Sequence, residues 1–342
     1  MILIRCDANT KLGFGHLVRC RALANALVEL GVPCVLVGPS KDYQIEQDKH
    51  VFTDWFPMPF GQTVAGDARE LLKHLKDQSS NLAVLDDYRI DFEYQRALKK
   101  ANIRWLQFNG NMNQKFLADL ILNPSPQASK EDYLPLLENK ESKLLLGPNY
   151  SILRSEFLNQ KKSNNDGLIK KILLTFGGGD DRGAILSLLQ ILLPNLNEEI
   201  KFLVISGEHN PRNNELKTWI EKNGNGRVDL EINPMAMAPS IASCDLAIMA
   251  GGGTVYEVNS LNIPMFLISI AENQIRHSQA WEKTGAAIYS GALESLDLNK
   301  MLQEVKKLIH ESSKGKGRTS KQLVDGRGQK RVAQKIMDEF GI

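Results

Sequence analysis

A histidine directly after a glycine turn is the first feature with chemical meaning. The run ILIR leads into CDANTKLGFGHLVRC, residues 6–20, where Gly13 and Gly15 flank a phenylalanine and His16 follows. Leu17, Val18, Leu23 and Leu27 then recur at helical spacing. A strand–turn–helix passage of this kind sets the turn at the edge of a parallel sheet where ligands bind. A neutral imidazole there can take a proton from water. The ring can equally cap the turn or hydrogen-bond a backbone carbonyl, and position alone does not choose. The dinucleotide fingerprint is incomplete. Val18 stands where G-x-G-x-x-G needs its third glycine, and the second strand ends in Val37 and Gly38 rather than an acid. Bound NAD is therefore not expected.

Two further glycine turns have the same context. TFGGGDD (175–181) and MAGGGTVYE (249–257) each follow an apolar run and precede a helical pattern, and neither carries the GK[ST] of a P-loop. Three glycines leading into a helix offer backbone N–H groups beside the positive end of its dipole, which suits an anion such as a pyrophosphate. Glu257 reads as the third helical residue of a capping box opened by Thr254, or as an acceptor for a ribose diol. In LDDYRID (85–91), Asp86 and Asp87 point to opposite faces if the strand runs through them. Tyr88 either projects into a cleft or lies in a surface loop, with Asp91 capping the next helix. In AENQIRHSQAW (271–281), Glu272, Asn273 and Gln274 either reach a sugar or form a polar helix start. No His/Cys/Asp/Glu cluster has metal-ligand spacing, and no metal site is expected.

These residues need a scaffold, and the chain supplies one by alternating short apolar runs with helical patterns. ILIRC, PCVLV, LAVLDD, IRWLQF and ADLILN in the first half, and KKILLTF, IKFLVIS, VDLEI, DLAIMA and PMFLIS in the second, read as strands. The fold class is α/β with parallel sheets. The polar stretch LNQKKSNNDG is the best linker, so domains are expected at 1–158 and 168–342, with the helix in RGQKRVAQKIMDEF free to cross back to the first. FTDWFPMPF (52–60) is expected to be a packed loop and HESSKGKGRTSKQ a solvated one. With 42 basic against 40 acidic residues and a formal charge of +2, nothing favours nucleic acid. Cys6, Cys20, Cys34 and Cys244 lack CxxC pairing and are expected as buried thiols of a reducing compartment. No signal peptide or membrane-length apolar run is visible. A cytoplasmic monomer without membrane insertion is expected.

Taken in order, RCDANTKLGFGHLVRC, LDDYRID, LLGPNYSILRSEF, TFGGGDD, AGGGTVYE, AENQ and VDGRGQKRV resemble the UDP-2,4-diacetamido-2,4,6-trideoxy-β-L-altropyranose hydrolases of pseudaminic acid biosynthesis. The resemblance implies a GT-B-like arrangement, two Rossmann-like parallel-sheet domains facing across a cleft. It implies a UDP-sugar substrate, cleaved at its anomeric carbon with inversion and without metal or cofactor. On that reading His16 is catalytic. Gly15, Tyr88, Asn273 and Gln274 line the sugar. Gly13, Gly178, Gly251, Gly252, Gly253 and Thr254 hold UDP through its diphosphate, and Glu257 takes the ribose. The chain departs from the family at Asn109 and Asn111, where acids are common, and at Gly253, where serine is expected. Three other functions fit the same architecture: a glycosyltransferase with a UDP-HexNAc donor, a UDP-sugar binder without catalysis, and a 2-epimerase. The epimerase would need acids around C2 that the sequence does not advertise.

Overall fold

Apolar runs too short for helices and rich in Val, Ile and Leu become buried parallel strands, and the amphipathic segments between them cover both faces. The computed structural model describes residues 1–9, 13–59, 61–109, 114–162, 166–315 and 320–342. The chain divides into a first unit, Met1–Ser155 with Gly326–Ile342, and a second, Glu156–Asp325.

The first unit holds strands β1 (Ile2–Cys6), β2 (Cys34–Gly38), β3 (Phe52–Pro57), β4 (Leu82–Asp86), β5 (Arg104–Phe108), β6 (Leu120–Asn123) and β7 (Lys143–Leu146). They form a seven-stranded sheet in the order β3-β2-β1-β4-β5-β6-β7. Its helices are α1 (Gly15–Glu29), α2 (Asp48–Val51), α3 (Val64–Asp77), α4 (Phe92–Lys100) and α5 (Lys130–Tyr133). Strand alternation divides the core. Ile2, Ile4, Cys6, Leu36 and Val84 meet Leu17, Cys20, Leu23 and Leu27 of α1. Leu3, Val35, Val37, Ala83 and Leu85 meet Leu71 and Leu75 of α3 and Leu98 of α4 on the opposite face. Each such leucine contributes about 1.5–3 kcal/mol of burial.

One expectation fails here. The stretch 52–60 contains a strand rather than a packed loop: β3 pairs in parallel with β2 from Cys34↔Phe52 to Gly38↔Pro57. Phe52 and Trp55 point inward, and the Trp55 indole donates to the Pro39 carbonyl at 2.7 Å. Pro57 is tolerated because it ends an edge strand, where no ladder bond is lost.

The second unit repeats the plan with β8 (Lys171–Thr175), β9 (Lys201–Ser206), β10 (Val228–Ile232), β11 (Leu246–Ala250), β12 (Met265–Ser269) and β13 (Ile288–Ala292). These six strands run in the order β10-β9-β8-β11-β12-β13. Its helices are α6 (Ala184–Asn195), α7 (Asn213–Asn223), α8 (Met237–Ala242), α9 (Thr254–Ser260), α10 (Glu272–Lys283) and α11 (Leu298–Ser313). The stretch expected as a solvated tail is thus helical as far as Ser313, and residues 316–319 lie outside the described ones.

The last helix, α12 (Gly328–Phe340), belongs to the first unit. Val332, Ile336 and Phe340 join the α1 face of that core. Gly328 lies so close to the Ser151 backbone that a Cβ would overlap the Ser151 carbonyl. Arg104 donates to the terminal carbonyls of Glu339 and Phe340, the groups a helix end leaves unsatisfied.

In each sheet the strand order reverses once. The switch falls between β1 and β4 in the first unit and between β8 and β11 in the second. In open α/β sheets, ligands bind beyond the carboxyl ends of the strands at that point.

Candidate active site

In the first unit the switch point brings His16 to Asp86. Gly13 takes φ +80°, a conformation natural to glycine, and its N–H returns to the Asn9 carbonyl at 2.8 Å. The chain then enters α1 at Gly15, so His16 stands in the first helical turn. Parallel pairing places Asp86, the last residue of β4, opposite Cys6, the last of β1. His16 Nδ1 lies 2.7 Å from Asp86 Oδ1. One turn further along α1, Arg19 grips the same carboxylate with two bonds, Nε to Oδ2 and Nη2 to Oδ1. Its guanidinium also stacks on Phe108, 5.0 Å from the ring centre.

Burial alone would push the Asp86 carboxyl up. The Arg19 charge and the hydrogen bonds from Arg19 and His16 outweigh it and hold the group at about 2. Asp86 is therefore an ionised acceptor, which fixes the ring's tautomer. A carboxylate oxygen at 2.7 Å from Nδ1 requires a hydrogen between them, and Asp86 has none to give. The 2.9 Å approach of Arg19 Nη2 to the same nitrogen follows from both groups sharing Oδ1. With the proton on Nδ1, Nε2 is the basic nitrogen.

Tyr88 is 67% exposed, and its ring meets the His16 ring edge-on at 4.7 Å. Its neighbours hold it there. Asp87 faces the opposite side of the sheet from Asp86, as strand alternation requires, and binds Arg89 at 2.6 Å. Arg89 continues to Asp7 at 2.6 Å and Asp67 at 3.1 Å, and the buried Arg5 joins Asp67 to Asp7. Asp91 caps α4 by accepting from the Tyr94 N–H at 2.8 Å. Asn109 accepts from the buried Tyr133 hydroxyl, and Asn111 lies outside the described residues.

In the second unit both glycine turns lie at the switch point, after adjacent strands paired Met249↔Thr175. Gly178 is pinned from the side: a Cβ on Gly207, which follows β9, would overlap the Gly178 backbone. Asp181 accepts from Ile185 N in the first turn of α6 at 3.0 Å, and Asp180 accepts from Arg182 N at 2.7 Å. Gly251 abuts Ser278 of α10 closely enough that a side chain there would strike its hydroxyl. The Gly252 N–H is taken by the Ala250 carbonyl at 2.8 Å, so this glycine does not present the donor expected of it.

The capping-box reading of Thr254 and Glu257 is corrected. The N-cap is Gly253, which has no side chain to cap with, and Thr254 is already helical. Glu257 is buried, 6% exposed, on α9. Gln274 Oε1 accepts from Ile270 N at 3.0 Å, whereas Asn273 is exposed in the first turn of α10. Further along α10, burial lowers His277 to about 4, and its Nε2 accepts from the Trp281 indole at 3.0 Å. The structure thus groups His16, Gly13, Gly15 and Tyr88 in the first unit. Gly178, Gly251, Gly252, Gly253, Thr254, Gln274 and Glu257 stand near the ends of β8, β11 and β12 in the second.

Sequence reasoning missed Asp86 as the partner of His16, and Arg19 with it. The available signals were an acid ending a strand and an arginine three residues past the histidine on one helix face. Among the described residues no group of three or more His, Cys, Asp or Glu is placed to hold a metal. No helix among them is long and apolar enough to cross a membrane.

Two parallel-sheet units with glycine turns at their switch points define the class: the chain has a GT-B-type fold. Residues 172–338 match the glycosyltransferase family 28 C-terminal domain. The chain is 24% identical over 166 residues to UDP-2,4-diacetamido-2,4,6-trideoxy-β-L-altropyranose hydrolase of Campylobacter jejuni, covering 48% of this chain and 56% of that protein. It is 22% identical over 352 residues to the spore coat polysaccharide biosynthesis protein SpsG of Bacillus subtilis, covering 98% of each. The first curated relatives are matched over little more than half of their own length, 55% and 56%. Among solved structures, MurG of Acinetobacter baumannii superposes with a TM-score of 0.65 at 14% identity, over 98% of this chain and 99% of that one.

Proposed function

We propose that the chain hydrolyses UDP-2,4-diacetamido-2,4,6-trideoxy-β-L-altropyranose at C1 with inversion, giving UDP and 2,4-diacetamido-2,4,6-trideoxy-L-altropyranose. The observation that carries this reading is the His16–Asp86 pair, 2.7 Å apart, the histidine in the first turn of α1 and the aspartate at the end of β4, with Nε2 as the basic nitrogen. In the reaction His16 Nε2 takes a proton from water as the water oxygen bonds to C1. The C1–O bond breaks and its electron pair leaves with the β-phosphate. UDP leaves without being protonated, so one base suffices where inverting glycosidases use two carboxylates. Direct attack by water inverts C1. Gly15, Tyr88, Asn273 and Gln274 line the sugar. Gly178, Gly251, Gly253 and Thr254 hold the diphosphate through backbone N–H groups, while Gly13 and Gly252, whose N–H groups are taken by Asn9 and Ala250, shape their turns. Glu257 accepts hydrogen bonds from the ribose. No metal takes part, so a chelator leaves the rate unchanged. The similarity to the Campylobacter hydrolase supports the choice of substrate and reaction.

The match to a glycosyltransferase domain favours one second reading, transfer of a UDP-HexNAc sugar to an acceptor. UDP release from the proposed substrate without any acceptor separates the two. His16→Ala is expected to abolish that release while UDP still binds in calorimetry. Turnover near the unsubstituted rate in His16→Ala would remove His16 from the reaction.

A further inference from the structure

We propose that Arg19 is a positioning residue that sets the charge state of the His16–Asp86 pair: it answers the carboxylate's charge, so Asp86 orients the imidazole without drawing a second proton onto it. The inference rests on the reading of His16 as the base.

Asp86 is 1% exposed, and a carboxylate so deep in the protein needs a counter-ion. Two groups on it can carry positive charge, the Arg19 guanidinium and the His16 ring. With Arg19 charged, the carboxylate is neutralised by an ion that never gives up its proton. His16 is then left to donate one hydrogen bond and keep Nε2 bare. Without that guanidinium the remaining counter-ion is imidazolium, which cannot accept a proton from water. Other titratable groups near the ring do not replace Arg19. Tyr88 faces it from the loop after β4, Cys20 reaches Asp86 from α1, and Cys6 of β1 lies beside Cys20. Among the described residues around the ring, the guanidinium is the fixed cation. Its seat on Phe108 keeps it from swinging into solvent.

The experiment is an NMR pH titration of the His16 ring in the free protein, with the resonance assigned by its loss in His16→Ala. In Arg19→Met the midpoint is expected to rise by about one pH unit or more, the usual effect of losing an adjacent opposite charge on the carboxylate. Arg19→Gln, which retains hydrogen-bonding groups without charge, should rise likewise, and it serves if the Met variant fails to fold. Arg19→Lys should return the midpoint most of the way. The acid limb of the pH–rate profile should move by the same amount, with kcat recovering at alkaline pH. An unmoved midpoint in both neutral variants overturns the proposal. So does a raised KM at every pH with an unmoved acid limb, which would make Arg19 a substrate contact. The titration needs no substrate, so failure of the unsubstituted protein to hydrolyse the UDP-sugar would sink the functional reading and leave this result standing.

Discussion

Replacing Asp86 by asparagine keeps the shape of the side chain and removes its charge, and the structure says what each change does. The carboxylate accepts from His16 Nδ1–H at 2.7 Å, from Arg19 through Nε and Nη2, and from the Cys20 thiol at 3.7 Å. An amide offers one oxygen and one NH2 group. Turned one way it points N–H at His16, which forces Nδ1 to accept and moves the ring proton to Nε2, where the base is needed. Turned the other way it points N–H at Arg19. In catalytic triads the corresponding change costs about 10⁴ in kcat through the wrong tautomer. Here a loss of about 10³–10⁴ is expected in UDP release, with little change in KM.

The same substitution has a separate stability signature. Asp86 is lowered from its ordinary 3.8 to about 2. A carboxyl depressed in the folded state stabilises it above the unfolded value and loses that contribution as pH falls through the folded one. The shift corresponds to about 2 kcal/mol, present above about pH 4 and lost between about pH 4 and 2. Asp86→Asn should therefore melt about 4–8 °C lower at pH 7, and the gap should narrow on acidification through that window. Thermal melts by circular dichroism read this arm, and initial rates of UDP release read the other. A folded Asp86→Asn protein with kcat within threefold of the original would refute the dyad.

Two further substitutions test the second unit. Glu257→Ala should weaken UDP binding by about 1–3 kcal/mol in calorimetry, the cost of a lost hydrogen bond to a charged group; unchanged affinity with a lowered melting temperature would make Glu257 a core residue instead. Gly207→Ala pushes a methyl into the Gly178 backbone, and overpacking of this kind costs about 1–3 kcal/mol. It should lower both the melting temperature and UDP affinity, and wild-type values for both would show that the Gly178 turn does not depend on this contact.

Much of the scaffold is legible in the sequence because buried parallel strands are short apolar runs and their helices are periodic. The strand–turn–helix at Cys6–Gly15 and the opposed faces of Asp86 and Asp87 both follow from local pattern. What escaped depends on topology. β3 carries Pro57 and an exposed Thr53 and Asp54, and reads as a strand only once it lies at the sheet edge. The attachment of α12 to the first unit is decided by Ser151 and Arg104, more than 170 residues earlier in the chain. Asp86 meets His16 because β4 crosses over to lie beside β1, so a separation of 70 residues becomes a hydrogen bond. The capping box at Thr254 failed for a local reason. The preceding glycine takes the cap, which sets Thr254 one residue further into the helix.

The central claim is that water, deprotonated by His16, attacks the anomeric carbon of a UDP-linked diacetamido sugar. The most direct measurement is a proton NMR time course of purified protein with UDP-2,4-diacetamido-2,4,6-trideoxy-β-L-altropyranose and no acceptor. The account predicts that UDP and free sugar appear together, the sugar first seen as the inverted anomer before it equilibrates. Release of the retained anomer, or an unchanged spectrum after prolonged incubation, would contradict it.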